Sequence, residues 1–333
     1  MSNNEIILNG TGLSKSFASN AGFSLFSKSQ VKALQDVDIT IHRGEKIGLI
    51  GRSGSGKSTL IRCLAKLITP DKGRIFFMGK DVTSMPLKQF KNMRKYIQVI
   101  FQNNYSALNP GMKIREMLHE TAKLSGYNNG IDQLIEGQMD KVSLSTALLE
   151  RYPRELSGGE CRRIGIAMID LISPDLLLAD EPVTALDYIN KWEILSLFEK
   201  LNKEKNLALL IATHDLEAML EIVNRVIVMY GGIIVEMLPI EQLWECCHPH
   251  TVELVRYHGF LKNKLTVDVL SSYNSKTKDL SAESIKTGCV FVNNCQRYQI
   301  LGKPEICREK QPPLTDNGNE HKTACYFYNK VEE

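Results

Sequence analysis

Continuous apolar runs of strand length punctuate the chain at Ile47–Ile50, Leu176–Ala179 and Leu207–Ala212. Runs without polar alternation belong to strands buried on both faces, as in a parallel sheet packed between helices. Ile6–Leu8 and Val37–Ile41 read as two further strands, with the polar segment Ala18–Ser29 between them as a loop. Val226–Tyr230 and Ile233–Val235, separated by Gly231-Gly232, read as a hairpin. Ser58–Leu67 has helical character, and from Asn103 to Arg163 the pattern turns helical and polar. That predicts an α/β domain over residues 1–238 carrying a helical subdomain at about 104–163. Beyond it, residues 239–333 read as an extension. Pro239–Tyr257 predicts one helix or two, Lys264–Thr287 a linker, and Gly288–Tyr326 a polar, loop-like, strand-poor tail.

Composition narrows the class. Of 333 residues, 43% are hydrophobic and 24% charged, which is ordinary for a globular protein. A net charge of +3 gives no argument for nucleic acid. No apolar run reaches the roughly 18 residues that a membrane span needs, and Met1–Gly10 lacks the pattern of a secretion signal. The expectation is a cytoplasmic protein whose membrane role, if it has one, needs separate membrane-spanning subunits.

The chemistry lies in short motifs in a fixed order. Gly51-Arg52-Ser53-Gly54-Ser55-Gly56-Lys57-Ser58 fits G-x-x-x-x-G-K-[ST], preceded by a predicted strand and followed by a predicted helix that Thr59 continues. Glycines let backbone N–H groups wrap phosphates, the helix aims its positive end at them, Lys57 adds a point charge and Ser58 a hydroxyl for magnesium. Asp180 ends an apolar strand and suits magnesium, while Glu181 is placed to polarise an attacking water. Gln102 could contact magnesium or that water, and His214, at the end of another predicted strand, could reach a γ-phosphate. Leu156-Ser157-Gly158-Gly159-Glu160 has no evident use within its own subunit, but a Ser hydroxyl and free N–H groups ahead of a helix suit an anion.

The order and context of these five motifs resemble an ABC-transporter ATP-binding subunit over roughly residues 1–260. The resemblance implies a P-loop NTPase cassette with a RecA-like core, an antiparallel β subdomain and a helical subdomain. It further implies head-to-tail dimers in which Ser157, Gly158 and Gly159 complete the partner's nucleotide site. Phe17 matches the adenine-stacking aromatic, and Ala185-Leu186-Asp187 matches the segment linking the two sites. Phe101-Gln102-Asn103 begins the region that meets the membrane subunit. Glu160 departs from the usual Gln and puts the ATPase rate, not ATP binding, in question. The run Phe101–Pro110 and His248-Pro249-His250-Thr251 are similar to oligopeptide and dipeptide importers, with His250 where Tyr is usual. This subfamily implies a related chain as dimer partner, two integral membrane permeases, an extracytoplasmic solute-binding protein engaged indirectly, and residence on the cytoplasmic face of the membrane. Nickel or another small solute is the alternative cargo. A non-transport ABC ATPase acting on DNA or ribosomes is disfavoured: the chain has no coiled coil, no zinc-hook insertion and no second cassette. Intact Lys57, Asp180, Glu181 and His214 disfavour a regulatory subunit with a dead site.

Four of the eight cysteines, Cys289, Cys295, Cys307 and Cys325, fall in the tail. Their spacing, without a C-x-x-C pair, leaves open an iron–sulfur cluster, a zinc ion or no metal. The resemblance extends to the cysteine-rich tail of peptide-importer ATPases and implies a 4Fe–4S cluster; a small, strand-poor tail with no flavin site or redox partner nearby favours a structural staple over electron transfer. The gap from Cys295 to Cys307 is longer than that pattern. His248 and His250 make at most an incomplete metal site.

Overall fold

The computed structural model describes residues 5–18, 30–101, 108–184, 186–261 and 287–329. All but Ala18 of the loop predicted at Ala18–Ser29, most of the linker predicted at Lys264–Thr287, and Gln102, Asn103 and Ala185 lie outside them.

The strands in chain order are β1 (Ile6–Ala18), β2 (Gln30–His42), β3 (Lys46–Ile50), β4 (Lys72–Phe77), β5 (Lys80–Asp81), β6 (Ile97–Ile100), β7 (Leu176–Asp180), β8 (Ala208–Ala212), β9 (Arg225–Tyr230), β10 (Ile233–Pro239), β11 (Thr315–Asp316) and β12 (Lys322–Thr323). The helices are α1 (Lys57–Leu64), α2 (Leu87–Phe90), α3 (Ile114–Leu124), α4 (Ile131–Lys141), α5 (Gly158–Ile172), α6 (Tyr188–Lys205), α7 (Leu216–Ile222), α8 (Pro249–Leu261), α9 (Gln296–Ile300) and α10 (Ile306–Glu309).

Two sheets carry the cassette. β2, β1, β4 and β5 form an antiparallel sheet in that order. The larger sheet runs β11-β12-β10-β9-β3-β8-β7-β6. Its β9, β3, β8, β7 and β6 are parallel, and β10 returns antiparallel to β9 through the Gly231-Gly232 turn. Every residue of β7 and β8 is buried, the consequence of their unbroken apolar runs. One face of the large sheet packs with α1 against the antiparallel sheet, through Leu49, Leu60, Leu64, Ile39 and Phe77. The other face packs Leu177, Leu209 and Val228 against Phe198 and Leu195 of α6 and Met219 of α7. Helices α3, α4 and α5 enclose a separate apolar cluster around Leu118, Ile135 and Ile164, which is the helical insertion expected from the sequence.

The tail is loop-like at three of its four cysteines, since Cys289, Cys295 and Cys325 lie outside regular elements. Cys307 lies in α10, and the segment between Cys295 and Cys307 is mostly the short helix α9 and a turn. β11 and β12 form a hairpin whose second strand extends the main sheet, with Glu236↔Thr323 and Met237↔Lys322 in register. A hydrogen bond from Ala324 N–H to the Val235 carbonyl (2.8 Å) continues the join. Two-residue strands have too little length to show periodicity.

A buried clasp locks this join. Glu236 is fully buried, and its Oε1 accepts hydrogen bonds from the Cys247 N–H (2.6 Å), the His248 N–H (3.1 Å) and the Thr323 hydroxyl (3.0 Å), and lies 2.8 Å from His321 Nε2. Burial works to raise the Glu236 pKa. Hydrogen bonds from His321, Thr251 and the Cys247 N–H outweigh it and hold the carboxyl below its usual range. Glu236, Cys247 and His321 bring three potential ligand atoms within 4.8 Å of one another. Glu236 Oε1 is engaged by donors from the tail and from the Cys247–His248 segment before α8, so through that oxygen the residue clasps the two layers together.

Candidate nucleotide site

The phosphate loop links β3 to α1. Its first glycine, Gly51, has no room for a side chain, since a Cβ there would lie 2.3 Å from the Met229 carbonyl of β9. Gly56, at φ 107°, caps α1 with a left-handed backbone that glycine adopts without penalty. Ser53 and Gly54 are exposed, Ser55 and Lys57 are buried, and Ser58 and Thr59 are half-buried on the first turn of α1. Lys57 Nζ donates to the carbonyls of Gly51 (2.7 Å) and Arg52 (3.2 Å), so the cation is folded over its own loop. Burial lowers its pKa, and the nearby charges of Glu181 and Asp180 oppose that shift.

Asp180 and Glu181 come next to this loop because β7 lies beside β8, which lies beside β3. Asp180 is buried, and burial raises its pKa. The Ser58 hydroxyl, Arg62 and Lys57 lower it, while Glu181 adds to the rise. Among the described residues Asp180 Oδ1 has no hydrogen-bond partner. An orphaned carboxylate oxygen beside a Ser hydroxyl fits the oxygen donor set of a magnesium ion.

Glu181 departs from regular strand geometry, at φ 52°, and its N–H donates to the Ala212 carbonyl of β8 (2.8 Å). One carboxylate oxygen accepts from the Thr184 hydroxyl (2.7 Å). His214 Nδ1 lies 3.0 Å from the same oxygen and 3.1 Å from the other. The sequence-predicted pair Glu181 and His214, 33 positions apart, therefore meets in space. Sequence reasoning missed Thr184, three residues beyond Glu181, and the Lys191–Asp215 ion pair (2.5 Å) beside His214. Its one local signal is that Asp215 adjoins His214.

The signature residues sit on the helical cluster. Ser157 N-caps α5, and Gly158 and Gly159 form its first turn. A Cβ on Gly159 would come within 2.7 Å of Asn190 Oδ1. Asn190 is held in turn by Asp187, the N-cap of α6, through its backbone N–H (3.0 Å) and side chain (2.6 Å). Gly159 and Asp187 are thus neighbours. Glu160 does not project onto the helix surface. Its carboxylate folds back to accept from the Ser157 N–H (2.7 Å) and hydroxyl (2.8 Å), which hold its pKa down. A negative charge therefore stands at the signature itself.

Phe17, at the end of β1, is 43% exposed, so it is a ring offered to solvent and not a core phenylalanine. Lys15 Nζ stands 5.8 Å from its centroid.

Residues 34–184, from β2 to just beyond the aspartate–glutamate pair, match the sequence profile described as ABC transporter. Relatives extend the match over the tail. The oligopeptide transport ATP-binding protein OppF of Haemophilus influenzae is 36% identical over 330 residues, covering 97% of each chain. The chain belongs to the ABC transporter ATP-binding proteins. Its relatives include the oligopeptide transport ATP-binding protein AppF of Bacillus subtilis, 33% identical with 98% of each chain covered. The dipeptide transport ATP-binding protein DppF of Haemophilus influenzae is 33% identical with 97% of each covered. A dimeric ATP-binding cassette solved with ADP and Pi superposes at TM-score 0.63 and 24% identity, over 70% of this chain and 98% of that one. The cbiO1 protein of Clostridium perfringens superposes at 0.62 and 24%, over 78% and 96%. These likenesses establish an ABC cassette fold. No helix among the described residues is long and apolar enough to cross a membrane.

All four tail cysteines line one cavity, together with His248, Phe291, Arg297, Tyr298 and Tyr326. Burial pushes the Cys289 thiol up to about 12 and Cys295 to about 11, and raises Cys307. Neighbouring thiolates add to each rise. Arg297 Nη1 lies 3.9 Å from Cys325 Sγ and donates to the carbonyls of Cys247 (3.0 Å) and Phe327 (3.2 Å). His248 lies among these groups with burial driving its pKa down to about 3, so it is neutral. Its Nδ1 accepts from the His250 N–H (3.1 Å).

Proposed function

We propose that this chain is the ATP-hydrolysing subunit of a peptide importer, energising uptake of oligopeptides or dipeptides through separate membrane subunits. The observation that supports it best is the convergence of Lys57, Asp180, Glu181 and His214 at one edge of the parallel strands β3, β7 and β8, in a chain related end to end to peptide transport ATP-binding proteins.

In this reading the loop from Gly51 to Thr59 binds the ATP phosphates through backbone N–H groups. Lys57 leaves its two carbonyls to bind the β- and γ-phosphates. Ser58, Asp180 and Gln102 would hold magnesium, which when bound neutralises phosphate charge. Glu181 accepts a proton from the attacking water. Thr184 and His214 fix its carboxylate, and His214 is exposed enough to reach the γ-phosphate. Phe17 stacks on adenine. Ser157, Gly158 and Gly159 serve the nucleotide of a partner cassette, and Asp187 connects the two sites. The exposure of Tyr188 and Ile189, directly after Asp187, supports a subunit contact there. The partner is a related chain, the permeases are two integral membrane subunits at the cytoplasmic face, and a solute-binding protein delivers cargo. The transport reading is tested by dependence of ATP hydrolysis on peptide in the reconstituted complex.

The same reading gives the tail a 4Fe–4S cluster held by Cys289, Cys295, Cys307 and Cys325. The residues fit, since four thiols lining one cavity offer a soft, sulfur-only donor set for such a group, with the Arg297 guanidinium beside Cys325. Such a cluster supplies a cross-link for a small tail core built on Phe291, Val292 and Tyr298. Anaerobic purification is expected to give about four irons and matching sulfide per chain, and Cys307→Ser to lose most of both. Zinc, or no metal in the wild-type chain, would contradict the cluster.

A further inference from the structure

The phosphate loop is braced from outside by the β9–β10 turn. The Gly232 N–H donates to the carbonyl of Ser55, inside the loop, at 3.0 Å. The Gly232 carbonyl accepts from the Gln35 N–H, and the Gly231 carbonyl from Gln35 Nε2, both at 2.8 Å. The Met229 carbonyl closes on Gly51, so the first residue of the loop has no room to move toward β9. The turn is itself short of space: a Cβ on Gly232 would lie 2.9 Å from the Ala33 carbonyl.

The same turn is gripped by the cysteine-bearing tail. Asn294, which directly precedes Cys295, donates from Nδ2 to the Tyr230 hydroxyl at 2.8 Å. Phe291, two residues after Cys289, stands edge-on to the Tyr230 ring at 5.0 Å and 90°. Val290 lies against Gly231, 3.3 Å from where a Cβ would be. The grip is tied to the cysteine cavity on the tail side as well. Cys289 N–H donates to the Cys307 carbonyl (2.8 Å), and Asn294 N–H to the Phe291 carbonyl (3.0 Å). Two hydrogen bonds and the backbone between them therefore link Cys295, through Asn294, Tyr230 and Gly232, to Ser55.

We propose that Tyr230 is a positioning residue through which the cysteine-lined tail sets the phosphate loop, so that filling or emptying the cysteine cavity changes nucleotide affinity. This rests on the reading of the chain as an ATPase with a metal-holding tail. The four cysteines hold the Val290–Asn294 segment in its bound shape. That segment holds the Tyr230 side chain, and the turn then presents the Gly232 N–H to Ser55. Loss of the bound group frees the segment, and the loop samples shapes that bind phosphate less well. Only binding is affected, because Glu181 and His214 follow β7 and β8, which β3 separates from the β9–β10 turn.

The test uses the assembled transporter complex and Mg-ATP, with metal content measured in every sample. Stripping iron from the wild type with a chelator is expected to raise the KM for ATP about fivefold, the worth of one well-placed hydrogen bond, with kcat within about twofold. Tyr230→Phe, which removes only the hydroxyl, and Asn294→Ala are each expected to raise KM similarly with metal still bound. The double variant adds little to either single one, since both remove the same bond. Stripping metal from Tyr230→Phe then changes KM less than it does in the wild type. The proposal is overturned if wild-type KM is unchanged after a measured loss of metal, or if both single variants keep wild-type KM. A chain purified without metal would sink the cluster reading alone. The two single variants and their double would then decide whether Tyr230 positions the loop.

Discussion

Replacing Glu181 with Gln is expected to lower steady-state ATP hydrolysis by the assembled complex about a hundredfold or more, the usual worth of a positioned general base, while ATP binding survives. The substitution keeps the shape of the side chain, and the Thr184 hydroxyl still has an oxygen to donate to. What disappears is the carboxylate to which the proposed function assigns the proton of the attacking water. The phosphate-binding groups are on β3 and α1, and none of their contacts passes through the Glu181 side chain. ATP should therefore hold the variant in its nucleotide-bound, dimeric form. Measured rates equal to wild type would remove Glu181 from the chemistry and leave the water to another group.

The second large effect is on stability. Glu236→Leu is expected to weaken docking of the tail by about 3–5 kcal/mol, since each buried donor left unsatisfied costs roughly 1–3 kcal/mol. The cost is set by what remains: His321, the Thr323 hydroxyl and the N–H groups of Cys247 and His248 all lose their acceptor inside the protein. Glu236→Gln, which keeps an acceptor oxygen, should cost less. Hydrogen exchange reads this locally: the Ala324 N–H bonded to Val235 should lose protection first, ahead of the cassette core. Unchanged protection in Glu236→Leu would show that the β10–β12 pairing holds the tail without the clasp.

The parts of the protein legible in its sequence are those whose chemistry is contiguous. The phosphate loop announces itself because its glycines, lysine and serine are neighbours along the chain and the turn they form is local. Leu176–Asp180 and Leu207–Ala212 announce buried parallel strands because helices cover both faces. Glu236 gives no such signal. Within Ile233-Ile234-Val235-Glu236-Met237-Leu238 it looks like the polar position of a half-exposed strand, yet it is buried because a tail 85 positions away in sequence covers it. The contact between Ser55 and Gly232 is hidden for the same reason: both partners are backbone atoms, which carry no residue identity. Glu160 was legible as a residue but not as an orientation, which depends on the capping geometry with Ser157.

Coupling of ATP hydrolysis to peptide is the central expectation for this chain. With the chain assembled with its partner cassette, its two membrane subunits and the solute-binding protein in lipid vesicles, ATP hydrolysis should rise several-fold on adding dipeptides or oligopeptides, with labelled peptide accumulating across the membrane, and Glu181→Gln should abolish both. Hydrolysis that ignores peptides but responds to nickel or another small solute would contradict the account.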